Sequence, residues 1–291
     1  MVSLEGGALH ESGRDKSAVS IKLFGGPYVV IGGERLEIPE GSKRLVAFAA
    51  IHRGRLERRY VAGSLWQCVD DIRAAGNLRS ALWRLRGAGI DVVEADKWSL
   101  QLVDHISIDL EDAVGWAERV VHNVPGDGDL DNIDDRARAL DILPGFYDDW
   151  AITARERIRQ RTLHALELVS RMLTKWGRSG EAVQAAMLAV HAEPLRESAQ
   201  RALIDAHLGE GNLIEARRSY SLYEKLLMRE LAVSPPSSMA ATVRLPAPRA
   251  FTAQRTAQMG PPAVAAAGAT SARGALVGLR GTQLQTRVGR L

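Results

Sequence analysis

The chain has 291 residues, 46% of them hydrophobic, and a formal net charge of +3, enough apolar material for sizeable cores in two domains. Its single cysteine, Cys68, excludes a disulfide framework and a cysteine-based zinc site, which suits a reducing cytoplasm. No apolar run approaches the roughly 18 residues of a membrane span, and Met1 to Ser17 lacks the apolar segment of a signal peptide.

The small net charge conceals three blocks. Lys43 to Arg86 holds ten basic and three acidic residues, Asp104 to Asp149 thirteen acidic and three basic, and Leu231 to Leu291 seven arginines and no acid. Only the first block joins positive charge to strong helical patterning, and that combination points to a polyanion partner.

In chain order, residues 1–18 read as a disordered lead. Ile21 and Leu23 alternate with Lys22, Tyr28 to Ile31 continues as strand, Gly32-Gly33 turns, and Leu36 with Ile38 returns. Pro39 and Gly41 close this small sheet, and Ser42 is placed to cap a helix through His52 with Leu45, Phe48, Ala49 and His52 on one stripe. A second helix is predicted from Glu57 to Gln67, burying Tyr60, Val61 and Leu65 or Trp66. A third follows from Asp70 to Arg86, with Ala75, Leu78, Leu82 and Leu85 forming its buried stripe. Asp70 or Asp71 caps its first turn, and Gly87 with Gly89 stops it. Ile90 to Glu94, a turn at Ala95-Asp96-Lys97, and a strand placing Trp98, Leu100 and Leu102 on one face make a hairpin. Sheet, three helices and hairpin is the order of a winged helix, whose third helix is the reading head.

Further on, Asp109 to His122 is helical and Asn123 to Asp135 an acidic loop. Long helices then run from Asp149 or Trp150 to Trp176, Glu181 to Ala192, Leu195 to Gly209 and Leu213 to Leu231, the last capped by Asn212. Gly177 and Gly211 are 34 residues apart, as are Ala182 and Ala216. That is the tetratricopeptide period, with Gly at the turn and small Ala where helices approach. The expected division is a disordered lead over 1–18, a winged-helix domain over 19–104, an acidic connector over 105–149, a tetratricopeptide-like domain over 150–234 and a disordered tail over 235–291. The fold class is mainly α with a small β component.

No catalytic set emerges. Gly41-Ser42-Lys43 lacks the spacing of a phosphate-binding loop, and the histidines never pair at metal-ligand spacing. Asp127, Asp129 and Asp131 match the start of a calcium loop, but Asn132 stands where the turn glycine belongs and Arg138 where the bidentate Glu belongs. That stretch reads as a solvated acidic loop, and Cys68 as a small packed residue. No enzyme activity, cofactor or metal is expected.

Several motifs together resemble a known family. Ile21-Lys-Leu-Phe-Gly-Gly, Lys43-Arg-Leu-Val-Ala-Phe, Val61-Ala-Gly-Ser-Leu-Trp66, Asn77-Leu-Arg-Ser-Ala-Leu-Trp-Arg-Leu-Arg86 and Asp109-Leu look like the OmpR-type winged helix of the Streptomyces antibiotic regulatory protein family. Tyr147-Asp-Asp-Trp150, Arg155-Glu-Arg157, His191-Ala-Glu-Pro-Leu-Arg-Glu-Ser198, Ala206-His-Leu-Gly-Glu-Gly-Asn212 and Ala216-Arg-Arg-Ser-Tyr220 look like its bacterial transcriptional activator domain. The resemblance covers residues 20–235. It implies sequence-specific binding to promoter repeats in double-stranded DNA, self-association there, and stimulation of transcription through RNA polymerase or a sigma factor. Two departures stand out: Gly76 lies inside the reading helix, and the hairpin tip carries Glu94 and Asp96 beside Lys97.

On the third helix, Arg73, Asn77, Ser80 and Arg84 lie opposite the chosen stripe and are the expected base readers, since Arg suits guanine and Asn suits adenine. Arg79, Trp83 and Arg86 are secondary. Lys43, Arg44, Arg55, Arg58, Arg59 and Lys97 are expected to hold phosphates. The competing expectation is a helical-repeat adaptor whose winged domain no longer reads DNA, favoured by Gly76 and the acidic hairpin tip.

Overall fold

The computed structural model describes residues 19–126 and 128–244. It opens with an antiparallel meander of β1 (Val19–Lys22), β2 (Tyr28–Ile31) and β3 (Glu34–Glu37). Ile21 pairs with Val29 and both are buried, while Gly32 and Gly33 supply the positive φ values of 59° and 91° that the tight turn requires. Next come α1 (Glu40–His52), the two-residue β4 (Leu56–Glu57), α2 (Arg58–Leu65), α3 (Asp71–Gly87), and the hairpin of β5 (Val93–Ala95) and β6 (Ser99–Leu102). A second sheet has the order β4-β6-β5.

The first sheet is completed late in the chain. β7 (Ser107–Ile108) pairs in parallel with β1, and α4 (Asp109–Val121) follows directly. The Asp109 carboxylate accepts from the Leu23 amide at 3.0 Å and the Phe24 amide at 3.3 Å, locking α4 to the end of β1. Ile142 and Leu143, fully buried, pack into the same core as Ile21, Phe48, Leu78 and Leu100. The core of the N-terminal part therefore extends beyond residue 104 into the segment expected to be a connector.

That segment holds α5 (Ile133–Ala137) and a 3-10 turn over Arg138–Leu140. Its acidic loop is less solvated than composition suggests. Asp129 is 3% exposed and accepts two bonds of 2.8 Å from Arg119 and one of 2.8 Å from the Gly126 amide. Hydrogen bonding from Arg119 holds its carboxyl below the usual range. Asp127 lies outside the described residues, among which no group of three potential metal ligands occurs.

The helical stack consists of α6 (Asp149–Lys175), α7 (Ser179–Ala192), α8 (Glu197–Gly209), α9 (Leu213–Leu231) and the short α10 (Ser237–Thr242). Gly177 and Gly211 turn with φ of 76° and 79°, and Ala182 and Ala216 are fully buried, so the 34-residue period is structural. Asn212 accepts from the Glu215 amide as the expected cap of α9.

Several local expectations are corrected. Ser42 does not cap α1; it lies one turn inside and its buried hydroxyl donates to the Ala81 carbonyl at 2.8 Å. Tyr60 is exposed, while Ala62 fills the buried face of α2. Trp98 is exposed because it precedes β6 and escapes the strand alternation that buries Leu100 and Leu102. Cys68 is exposed in the turn before α3. The tail expected from 235 begins packed: Met239 and Val243 join Ala216, Tyr223 and Leu227 in a small core. The lead over 1–18 and the tail beyond Arg244 lie outside the described residues.

Candidate nucleic-acid interface

Local chemistry makes α3 a firm helix. The Asp70 carboxylate accepts from the Arg73 amide at 2.9 Å, and the Ala88, Gly89 and Ile90 amides donate to carbonyls of its last turn. The buried side is Ala74, Leu78, Ala81, Leu82 and Leu85. Ala75, expected on that stripe, is only half-buried. Exchanging Ala75 for Ala74 and Ala81 turns the outward line by roughly 35–40° at 100° per residue.

The turn relocates the expected base readers. Arg73, 3.5 Å from Asp70, Asn77 and Ser80 now flank the outward line. Arg84 leans back onto α1: a Cβ built on Gly41 would stand 2.6 Å from its Nη1. The outward line itself is Ile72, Gly76, Arg79 and Trp83, with Ile72 82% and Trp83 74% exposed. Ile72 was missed because an exposed isoleucine carries no signal until the buried stripe is assigned correctly. Gly76 has no packing duty. A Cβ there would meet only Arg79 Nη2 at 3.7 Å, an ordinary contact, although a mid-helix glycine costs about 1 kcal/mol against alanine.

Beside this line, α2, α3 and the hairpin tip enclose a groove of about 840 Å³, bordered by Arg58, Arg59, Ile72, Arg79, Lys97 and Trp98. β4 creates it. Leu56 pairs with Leu100, and the Arg58 amide donates to the Trp98 carbonyl at 2.9 Å, so the start of α2 is tied to the hairpin.

The hairpin acid Asp96 is exposed, but its carboxylate is engaged rather than free. Asp96 accepts from the Trp98 and Ser99 amides, both at 2.7 Å, and from the Ser99 hydroxyl at 3.0 Å, and pairs with Arg55 at 2.6 Å. The Ser99 and Trp98 amides lead in lowering its pKa to about 2. Lys97 is left exposed, its ammonium 4.9 Å from the Trp98 ring centre.

The expected phosphate set divides. Arg58 and Lys97, like Arg79 and Arg86, make no ion pair among the described residues, and Arg58 donates to the Asp96 carbonyl at 3.2 Å. Arg59 pairs with Asp71 at 3.0 Å where both are well exposed, so the pair is weakly held. Lys43 pairs with Glu40 at 2.8 Å, Arg55 belongs to the Asp96 cluster, and Arg44 is engaged by Asp148. The groove therefore gathers Arg58, Arg59, Arg79 and Lys97, and leaves Lys43 and Arg44 apart from it.

Residues 136–244, from α5 through α10, match the family of the bacterial transcriptional activator domain. That match covers the helical part that follows the winged helix, and not the sheets and helices before it. The match supports the expected resemblance to the Streptomyces antibiotic regulatory proteins over this segment, and the order of winged helix and helical domain is as expected. A solved structure of Mycobacterium tuberculosis EmbR in complex with a low-affinity phosphopeptide is similar in fold, with a TM-score of 0.57 and 18% identity over 77% of this chain and 64% of that one. The chain thus spans under two thirds of the length of that relative. No curated protein matches.

Within the activator domain, the family-like motifs bind one helix to the next. Arg155 donates to the carbonyls of Ile142, Leu143 and Phe146, holding the loop that leads into α6. Glu167, 1% exposed, accepts from Arg196 and, at 2.7 Å, from the Ser198 hydroxyl. These contacts fasten the α7–α8 turn to α6. No helix among the described residues is long and apolar enough to cross a membrane.

Proposed function

We propose that the chain is a cytoplasmic, sequence-specific regulator of transcription that lays α3 in the major groove of double-stranded DNA at promoter repeats. Arg58, Arg59 and Lys97 hold phosphates from the start of α2 and the hairpin tip, and Arg55 keeps the tip in shape through Asp96. Arg79 reaches base edges from the outward line, with Arg73, Asn77 and Ser80 on its flank. The activator domain contacts RNA polymerase or a sigma factor, and chains associate side by side on adjacent repeats.

The observation that carries this reading is the groove beside α3, where Arg58, Arg79 and Lys97 converge without a carboxylate partner. The lining also carries Glu57 and Asp71, the latter paired with Arg59, so Arg58, Arg79 and Lys97 leave the groove net positive, and a polyphosphate backbone relieves that excess. The test is a gel shift of the full chain on the DNA upstream of its own coding sequence, with excess nonspecific competitor and a salt titration. Retention of one sequence over its scrambled version supports the function. Equal binding to all duplexes, or none, favours the helical-repeat adaptor.

A further inference from the structure

The outward line of α3 reads large, empty, basic, large: Ile72, Gly76, Arg79, Trp83. Ile72 stands one turn before the glycine and Trp83 two turns after it, both projecting into solvent. The fold itself asks for none of this. Isoleucine and tryptophan on an exposed helix face bury nothing, and the space over Gly76 is open apart from the Arg79 guanidinium at ordinary contact distance. Gly76 is helical, so its φ does not require glycine either. Three residues that cost the free protein something and gain it nothing lie on one line, and Ile72 at its start, with Arg79, borders the basic groove.

We infer that Gly76 is a notch through which the backbone of α3 approaches base-pair edges, and that Ile72 reads thymine beside it. A helix without a Cβ at its point of closest approach lies nearer the floor of the major groove than an alanine helix can. Ile72 then meets the one apolar feature of the groove, the C5 methyl of thymine. Arg79, whose Nη2 lies over the notch, is placed for the O6 and N7 of a neighbouring guanine. Trp83 marks the far edge of the contact. The operator half-repeat therefore contains a thymine next to a guanine, read by Ile72 and Arg79 across Gly76. This inference rests on the DNA-reading function proposed above.

Site selection by the full chain from random duplexes supplies the probe. Gly76→Ala is expected to melt no lower than the wild type, since alanine favours helix. It should nevertheless bind the selected duplex at least about fivefold more weakly, with binding to a scrambled duplex unchanged. Gly76→Leu, which also displaces Arg79, should lose more. Replacing the critical thymine by uracil should weaken wild-type binding about fourfold, the value of one buried methyl, and should not affect Ile72→Ala. A selection that enriches no sequence overturns the DNA-reading function and this inference with it. An enriched sequence that Gly76→Ala binds like the wild type, or at which Ile72→Ala keeps the full uracil penalty, overturns this inference alone.

Discussion

The hydroxyl of Ser42 donates to the Ala81 carbonyl at 2.8 Å inside the protein, so α1 grips α3 at mid-length. Both residues are fully buried. Ser42→Ala removes one buried hydrogen bond, and stability should fall by about 0.5–1.5 kcal/mol. The preference for specific over scrambled DNA should persist, because the outward line is untouched. Thermal melting and competition gel shifts check both halves.

Arg58 and Arg84 should behave differently. Arg58 borders the groove unpaired, so Arg58→Ala should weaken binding to every duplex and shallow the salt slope by about one unit. Arg84 lies over Gly41, so Arg84→Ala should leave base preference unaltered. Asn77→Ala, on the flank of the outward line, should relax preference at one base pair by about 1–3 kcal/mol. Affinities across single-base variants at several salt concentrations separate the three.

The two repeated alanines should be equally intolerant of bulk. Ala182 and Ala216 are each 0% exposed, and leucine at either should cost about 1–3 kcal/mol through overpacking. Chemical denaturation of the single variants checks the equivalence of the two repeats.

Asp129 gives the acid limb of the stability curve a definite sign. Its folded-state pKa is depressed, first by hydrogen bonds from Arg119. It therefore contributes stability above the ordinary carboxylate pKa, and that contribution disappears as pH falls through the depressed value. Asp129→Asn should destabilise at neutral pH by about 1.5–3 kcal/mol, a charged hydrogen bond's worth. The difference from the wild type should shrink progressively below pH about 4, which melting temperatures across that range would show.

A fragment ending at residue 125 should fold poorly, and one ending at 158 should melt cooperatively. Ile142, Leu143, Ala151 and Ile158 share the core of Ile21 and Phe48, and the shorter fragment uncovers that core. Circular dichroism melts of the two fragments check it.

Local rules were enough for much of this protein. The α9 boundaries, the caps at Asp70 and Asn212, the glycine turns and the 34-residue period follow from side-chain spacing and backbone sterics, which act within a few residues. The resemblance carried by the ordered motifs likewise led to the activator domain. Distant contacts decided the rest. Whether Ala75 or Ala74 faces inward depends on where α1 and α2 lie, because small residues fit either margin of a stripe. Asp96 looked repulsive until the turn folded its carboxylate onto two amides and Arg55. Arg44 looked free until Asp148, 104 residues away, came beside it. Ile142 and Leu143 looked like a connector until β1 passed next to them. Charge and hydrophobicity are written in the chain, but which charges cancel and which apolar groups meet water is set by the approach of segments far apart in sequence.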